Sequence, residues 1–403
     1  MRILMLSATF PYPPTQGGTQ VRTFNLLRYL GDRHTITLAT QRAPGTTPAE
    51  IAALRDHVAE LQVFKQPPAP TATMTAKLGR FAQSWLTGIP AHVRSNCAAP
   101  MAAWVADQVE SGVFDVVTCE HSGNEVYVRP GWQHRLRTVV NIHSSLSATC
   151  RQQLVMGTAE QDWRDRLNLP LLERYEHHFC HKFSELVVTT PEDRAHFETL
   201  SPGSSMTVIP NGVDLDLFPV RQADPGGTTL IFCGAMDNQP NIDAAQFLCR
   251  EILPAVRQRL PEITVQLVGA RPVAAVQGLG ALPGVTVTGK VPSMAIALQE
   301  ATVCVIPMRS GFGIKNKTLE AMAAGVPVVG SDRALEGLTA DPHAALRANT
   351  VEEFVTAITA LLQHPEQRRA IAAAGRALIE REFTWAVAGA RYEAVLTGTS
   401  GSP

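Results

Sequence analysis

The 403-residue sequence predicts an α/β protein made of two doubly wound domains, each around a parallel sheet. Three observations predict it. Short apolar runs alternate with longer stretches of helical period from one end to the other, as βαβ units do. Val, Ile and Leu fill successive positions of those runs, the pattern of strands buried on both faces. A chain of this length also exceeds what one core usually organises, so two domains of roughly 200 residues each are expected.

Strands are predicted, in order, over 2–7, 35–39, 116–119, 138–142 and 186–189. A second series follows over 228–233, 263–268, 285–288, 302–307 and 326–331. Between the two series, 201–225 gathers Pro, Gly, Asp and Asn and reads as the linker. The end, 397–403, reads as a frayed tail.

Composition excludes several classes. Hydrophobic residues make up 45% and charged residues 18%, enough material for two buried cores. The formal net charge of -1 offers no general field for nucleic acid, so phosphate recognition must come from local groups. The seven cysteines lack Cys-x-x-Cys spacing, and Cys119, Cys233 and Cys304 sit inside apolar runs. That pattern points to a reducing, cytoplasmic setting and away from disulfides or a zinc site. The opening run 1–7 meets Thr9-Phe10-Pro11 at once and reads as a first strand rather than a secretory leader. Nothing approaches the ~20 apolar residues of a membrane span, so contact with a membrane would be peripheral, at its inner face.

Chemistry must then reside in loops. The first strand runs into Pro11-Tyr12-Pro13-Pro14-Thr15-Gln16-Gly17-Gly18-Thr19, followed by helical 21–30. The Gly17-Gly18 pair lets backbone approach a ligand, and the helix start favours an anion or polar oxygen; a flexible turn is the plainer alternative. The loop is not Gly-x-Gly-x-x-Gly and no acidic residue completes a dinucleotide fingerprint, which argues against a nicotinamide enzyme. His143 ends strand 138–142, and His121 ends the strand before it. Ligands of doubly wound sheets bind at such strand ends, although a histidine hydrogen-bonded to its own loop would look the same. His177 and His181, four apart on helix 171–183 beside His178, lack the His-Glu-x-x-His arrangement and read as a packed or solvated face, not a metal site.

The most informative stretch is 303–329, which reads strand, glycine-bearing loop, short helix, strand. Backbone N–H groups around Gly313 and the helix start can cradle a phosphate that Lys315 or Lys317 neutralises. Glu320, one turn into the helix, can accept from two ribose hydroxyls, and Gly325 and Pro327 end the helix and launch the next strand. A purely structural βα unit needs neither the lysines nor the glutamate.

This stretch resembles the donor-binding motif of the retaining family-4 glycosyltransferases of GT-B architecture. The likeness continues in order through the Gly17-Gly18 loop, His143-Ser144-Ser145, Ile209-Pro210-Asn211-Gly212-Val213-Asp214, Phe232-Cys233-Gly234 and Phe383-Thr384-Trp385. It implies two Rossmann-like domains facing each other across a cleft: 1–200 on the acceptor side, 201–382 binding the nucleotide sugar, and 383–398 a helix returning to the first. Catalytic parts are implied for His143, Glu320, Lys315 and Lys317. Donor contacts are implied for Gly17, Gly18, Asn211, Gly234, Gly313, Ile314, Thr318 and Leu319, with His121, Asp237 and Asn241 lining the cleft.

Two departures from the family pattern stand out. Eight positions before Glu320, where many members carry a first glutamate, stands Phe312. The loop 235–241, which often supplies an arginine and a lysine, holds no cation, so its charge is expected to have moved to Lys315 and Lys317. The implied activity is transfer of a sugar with retained anomeric configuration and no required metal, by front-face attack. A nucleoside-diphosphate sugar is the co-substrate, UDP or GDP ahead of ADP, with no other cofactor. The acceptor is a glycan, lipid-linked or small-molecule hydroxyl, as in bacterial polysaccharide synthesis. A GT-B nucleotide-sugar epimerase and a non-catalytic nucleotide-sugar-binding paralogue are the alternatives.

One further segment, 73–88, places Met74, Leu78, Phe81 and Trp85 at helical spacing beside Lys77 and Arg80. Either the stripe packs into the first domain, or it lies in a membrane interface near a lipid-linked acceptor.

Overall fold

The computed structural model describes residues 1–14, 17–68, 73–157, 161–311, 313–338 and 343–399, with the backbone alone over 74–78. The chain folds as two compact units. The first comprises Met1–Arg151, Gln161–Pro210 and Ala388–Pro403, and the second Gln152–Glu160 and Asn211–Val387.

Seven strands build the sheet of the first unit: β1 (Arg2–Ser7), β2 (Thr35–Arg42), β3 (Glu60–Lys65), β4 (Val116–Glu120), β5 (Arg137–Asn141), β6 (Glu185–Val188) and β7 (Met206–Val208). Their order is β3-β2-β1-β4-β5-β6-β7, and every pairing is parallel. The second unit adds β8 (Thr229–Cys233), β9 (Thr264–Val268), β10 (Val285–Gly289), β11 (Val303–Ile306), β12 (Val328–Gly330) and β13 (Leu346–Arg347). These run in the order β10-β9-β8-β11-β12-β13, again wholly parallel.

Burial explains why these segments are strands. Ile3–Leu6 of the first sheet and Val303–Ile306 of the second are sealed from solvent at every position, as strands covered by helices on both faces must be. Cys119, Cys233 and Cys304 lie among them as small apolar side chains. Three strands go beyond the sequence expectation: β3, β7 and β13. Each is a sheet edge, short or only half-buried, so none shows a continuous apolar run. β7 lies inside the stretch that the sequence presents as linker.

The order of strands reverses between β1 and β4 in the first sheet and between β8 and β11 in the second. The loops that leave these strands lie at the carboxyl edge, where doubly wound sheets bind ligands. The first holds Thr9 to Pro14, Gly17 and His121; the second holds Gly234 to Asn238, Pro307 to Gly311 and Gly313 to Lys315.

Two stretches that the sequence singles out separately meet in the second unit. Val213 bridges Thr384, and its N–H donates to the Phe383 carbonyl at 2.8 Å. The helix Trp385–Thr397 that follows joins the first unit from Ala388 onward. There Gly389 lies against the Tyr29 ring of helix Gly18–Gly31, so close that an added Cβ would stand 2.2 Å from Tyr29 Cγ.

No helix among the described residues is long and apolar enough to cross a membrane. Helix Met74–Thr87 forms as its spacing predicts, and the side chains of Met74, Lys77 and Leu78 lie outside the described residues. Over its last two turns Ser84 is the buried residue, Phe81 is half-buried, and Trp85 and Leu86 are 40% and 85% exposed.

Candidate active site

In the second unit the cationic groups collect at the strand-order reversal. Lys317, on the first turn of helix Asn316–Ala323, extends its ammonium to Asn241 Oδ1 and over the Phe232 ring, 4.6 Å from the centroid. Burial, and then the neighbouring Lys315, lower its pKa to about 8. Asn241 is buried and donates to the Ala235 carbonyl at 2.9 Å, which orients its amide oxygen toward the lysine. Gly234, at the end of β8, admits this arrangement. A Cβ there would stand 2.7 Å from Asn241 Nδ2 and 2.9 Å from Lys317 Nζ, so a larger residue would push these two side chains apart.

Glu320 lies one turn further along the same helix and is half-buried. Its carboxylate has no hydrogen-bond partner among the described residues. Burial raises its pKa to about 7 against the opposing pull of Lys317. A carboxylate held in this way, part-exposed and unmatched, is an acceptor suited to paired hydroxyls. In the loop after β11, Ser310 has a buried hydroxyl that also lacks a partner among the described residues.

The two lysines have separate parts. Lys315 turns inward, ion-paired with Glu336 at 3.2 Å and donating to the Gly313 carbonyl, while Arg333 reaches the other oxygen of Glu336 at 3.1 Å. Lys317 stands at the carboxyl edge of the sheet beside Gly234 and Asn241, where Arg309 of the loop after β11 is held by Asp243. Asn211 pairs with Asn316 at 2.7 Å, tying the start of the second unit to the start of the helix. Ile314 and Leu319 point into the core, and Thr318 donates to the Ala334 carbonyl at 2.8 Å. Any donor contact from these three is thus left to backbone. Phe312 lies outside the described residues.

The loop 235–241, empty of cations in sequence, acquires one in space. Arg271, from the loop after β9, holds Asp237 with its Nε 2.5 Å and its Nη2 3.1 Å from the two carboxylate oxygens. Asp237 is accordingly an exposed ion-pair partner with its pKa lowered, chiefly by the Arg271 hydrogen bond.

In the first unit His121 and His143 come together, ring centroids 5.3 Å apart and nearly perpendicular. Burial holds both imidazoles neutral: the pKa of His121 falls to about 4, and that of His143 falls well below 6.5, helped by His121 and Arg22. His143 Nε2 is buried with no partner among the described residues, whereas His121 Nδ1 accepts from the Gly123 N–H at 3.1 Å. Ser144 and Ser145 lead into helix Leu146–Val155, whose start is occupied by the buried carboxylate of Glu176. Gly17 and Gly18 are exposed at the start of helix Gly18–Gly31, which has no side-chain cap. His177 contacts the ring of His181 and meets the Leu200 carbonyl at 2.8 Å, and with His178 the two form a solvated face.

The profile of Glycosyltransferase Family 4 matches residues 16–217, and that of Glycosyl transferases group 1 matches residues 227–364. The chain belongs to Glycosyltransferase Family 4. Among curated members of this kind, a phosphatidyl-myo-inositol mannosyltransferase of Mycobacterium tuberculosis is 30% identical over 223 residues. That match covers 50% of this chain and 56% of the relative, so the chain spans about half the length of the curated relatives it matches first. A GDP-mannose-dependent monoacylated alpha-(1-6)-phosphatidylinositol monomannoside mannosyltransferase of Corynebacterium glutamicum is 24% identical and covers 97% of both chains. Among solved structures, Anabaena HepE in complex with UDP superposes with a TM-score of 0.67 at 16% identity, over 99% of this chain and 100% of that one. The family-4 fold is therefore GT-B, two Rossmann-like domains.

Several residues around these sites escaped the sequence reading. Arg271, Glu336, Glu120, Arg22 and Tyr392 act through partners distant in sequence, and only the motif-bearing helix 316–323 announced itself locally. Ser310 stood inside the informative stretch without a spacing to distinguish it.

Proposed function

We propose that this chain transfers a sugar, with retention and without a required metal, from a nucleoside-diphosphate sugar to a hydroxyl acceptor. One observation carries the reading: Lys317, Asn241, Gly234 and Glu320 converge at the order reversal of the second sheet. In this reading Lys317 and the start of helix Asn316–Ala323 stabilise the leaving diphosphate, which is where negative charge develops. Glu320 receives the ribose hydroxyls. His143, neutral and with a buried nitrogen to spare, faces the transferred sugar. Attack on the leaving-group face accounts for retention without a covalent nucleophile. The names of the sequence relatives favour GDP ahead of UDP and a lipid-linked acceptor.

Thermal shifts against GDP, UDP, ADP and their sugars test the donor, because a ligand of the native state raises apparent stability. GDP or UDP is expected to raise Tm, and a flat response to all three would overturn the reading. Donor incubated alone should stay unchanged; conversion into a second nucleotide sugar would make the protein an epimerase.

The exposed Trp85 and Leu86 support a peripheral membrane contact through helix Met74–Thr87. Vesicles of anionic phospholipid are expected to sediment the protein, and a Phe81→Ser/Trp85→Ser variant with an intact fold should stay in solution. Equal sedimentation of the two would remove the helix from consideration.

A further inference from the structure

Behind the histidine pair of the first unit lies a connected set of buried polar groups that the proposed chemistry does not use. Glu120, the last residue of β4, is sealed from solvent. One of its oxygens accepts from the Tyr392 hydroxyl at 2.7 Å and from Thr118 at 3.1 Å, and the other from the Asn141 amide at 2.9 Å. Asn141, the last residue of β5, accepts in turn from Arg22 Nε at 3.0 Å. Arg22 is 1% exposed and also donates to the Ile209 carbonyl at 2.9 Å. A buried carboxylate and a buried guanidinium are thus joined through one amide, so each charge has a compensating partner within the cluster.

The placement of this cluster is telling. Glu120 immediately precedes His121, and Asn141 stands two residues before His143. His121 adopts φ 87°, a left-handed conformation that a non-glycine residue keeps only where its surroundings impose it. Its N–H donates to the Asn141 carbonyl at 2.9 Å, and the Asn124 amide spans the carbonyls of Glu120 and His121. Glu120 and Asn141 are therefore the fixed points from which both imidazoles project. Tyr392, which arrives from the helix Trp385–Thr397, is the member contributed from farthest along the chain.

We propose that Tyr392 and Glu120 are positioning residues for the His121–His143 pair. The Tyr392 hydroxyl fixes the rotamer of Glu120, and Glu120 fixes Asn141 and the ends of β4 and β5. The inference rests on the reading of His143 as the group that faces the transferred sugar. Tyr392→Phe deletes one oxygen and keeps the ring in the core. In the full-length chain it is expected to leave nucleotide affinity and the donor KM within about twofold. It should lower kcat for transfer at least ten-fold and move the His143 ring signals in ¹⁵N NMR. Tyr175→Phe, at an equally buried tyrosine of the same unit, should leave kcat and those signals unchanged. Wild-type kcat in Tyr392→Phe, or equal losses in both variants, would overturn the proposal. If His143→Ala itself leaves kcat intact, the site reading fails, and the NMR signals still decide whether Tyr392 positions the ring. Should Tyr392→Phe not fold, Glu120→Gln, which keeps the shape of the side chain, carries the same expectations.

Discussion

Lys317 and Glu320 stand one helical turn apart, and burial drives their pKa values to about 8 and about 7. Each shift has a measurable sign. Lys317 is charged below about 8, so affinity for a nucleoside diphosphate should be full at pH 7 and fall as pH rises toward 9. Lys317→Met should weaken that affinity at least ten-fold at pH 7, because a charge-assisted hydrogen bond contributes about 1.5–3 kcal/mol. It should also flatten the pH dependence; calorimetry that gives wild-type affinity for the variant at pH 7 would sink the assignment. Lys315→Met is expected to act on stability instead, since it strips a cation from buried Glu336. For Glu320 the folded pKa lies above the usual 4.5, so the native state keeps a proton that the unfolded chain has released. Its contribution to stability is full below pH 4.5 and is lost as pH rises through about 7. Glu320→Gln should therefore raise Tm at pH 8 and change it little at pH 4.5, while weakening nucleotide binding. A variant Tm that follows the wild type at both pH values would contradict the buried carboxyl.

At the scale of elements, legibility followed burial. The strands read correctly from sequence include every central one, because only strands covered on both faces have an unbroken apolar run. β3, β7 and β13 are edges, carry polar or charged residues, and owe their pairing to a neighbour rather than to their own composition. The candidate site divides in the same manner. Lys317 and Glu320 were visible because one short helix holds both at a fixed spacing. Glu120, Arg22 and Tyr392 were not, because their bonds close over separations of 119 and 272 residues that no local pattern encodes. Helix Trp385–Thr397 offers a direct test of how tightly such distant packing is set. Gly389→Ala forces a methyl into the Tyr29 ring, and overpacking of this kind costs about 1–3 kcal/mol. A lowered Tm is expected, with partial recovery when Tyr29→Leu makes room. An unchanged Tm would mean that this helix end yields freely.

For the whole molecule, the division of the chain decides which parts stand alone. The second unit is nearly continuous from Asn211 to Val387 and has its own core around β8, β9 and β11. A fragment of 211–387 is expected to fold cooperatively and to retain nucleotide binding in calorimetry; a fragment without a thermal transition would refute its autonomy. The first unit is different, because Ala388 onward completes it and supplies the Tyr392 hydroxyl to Glu120. A polypeptide leaves the ribosome amino end first, at roughly 5–20 residues per second. The sheet of the first unit therefore emerges early, yet Glu120 and Thr118 wait for their phenol until the second unit has been made. The domain that begins the chain is the one finished last. Stalled nascent chains should show the second unit resistant to protease while the first is still cut, and release of the last helix from the exit tunnel should protect both.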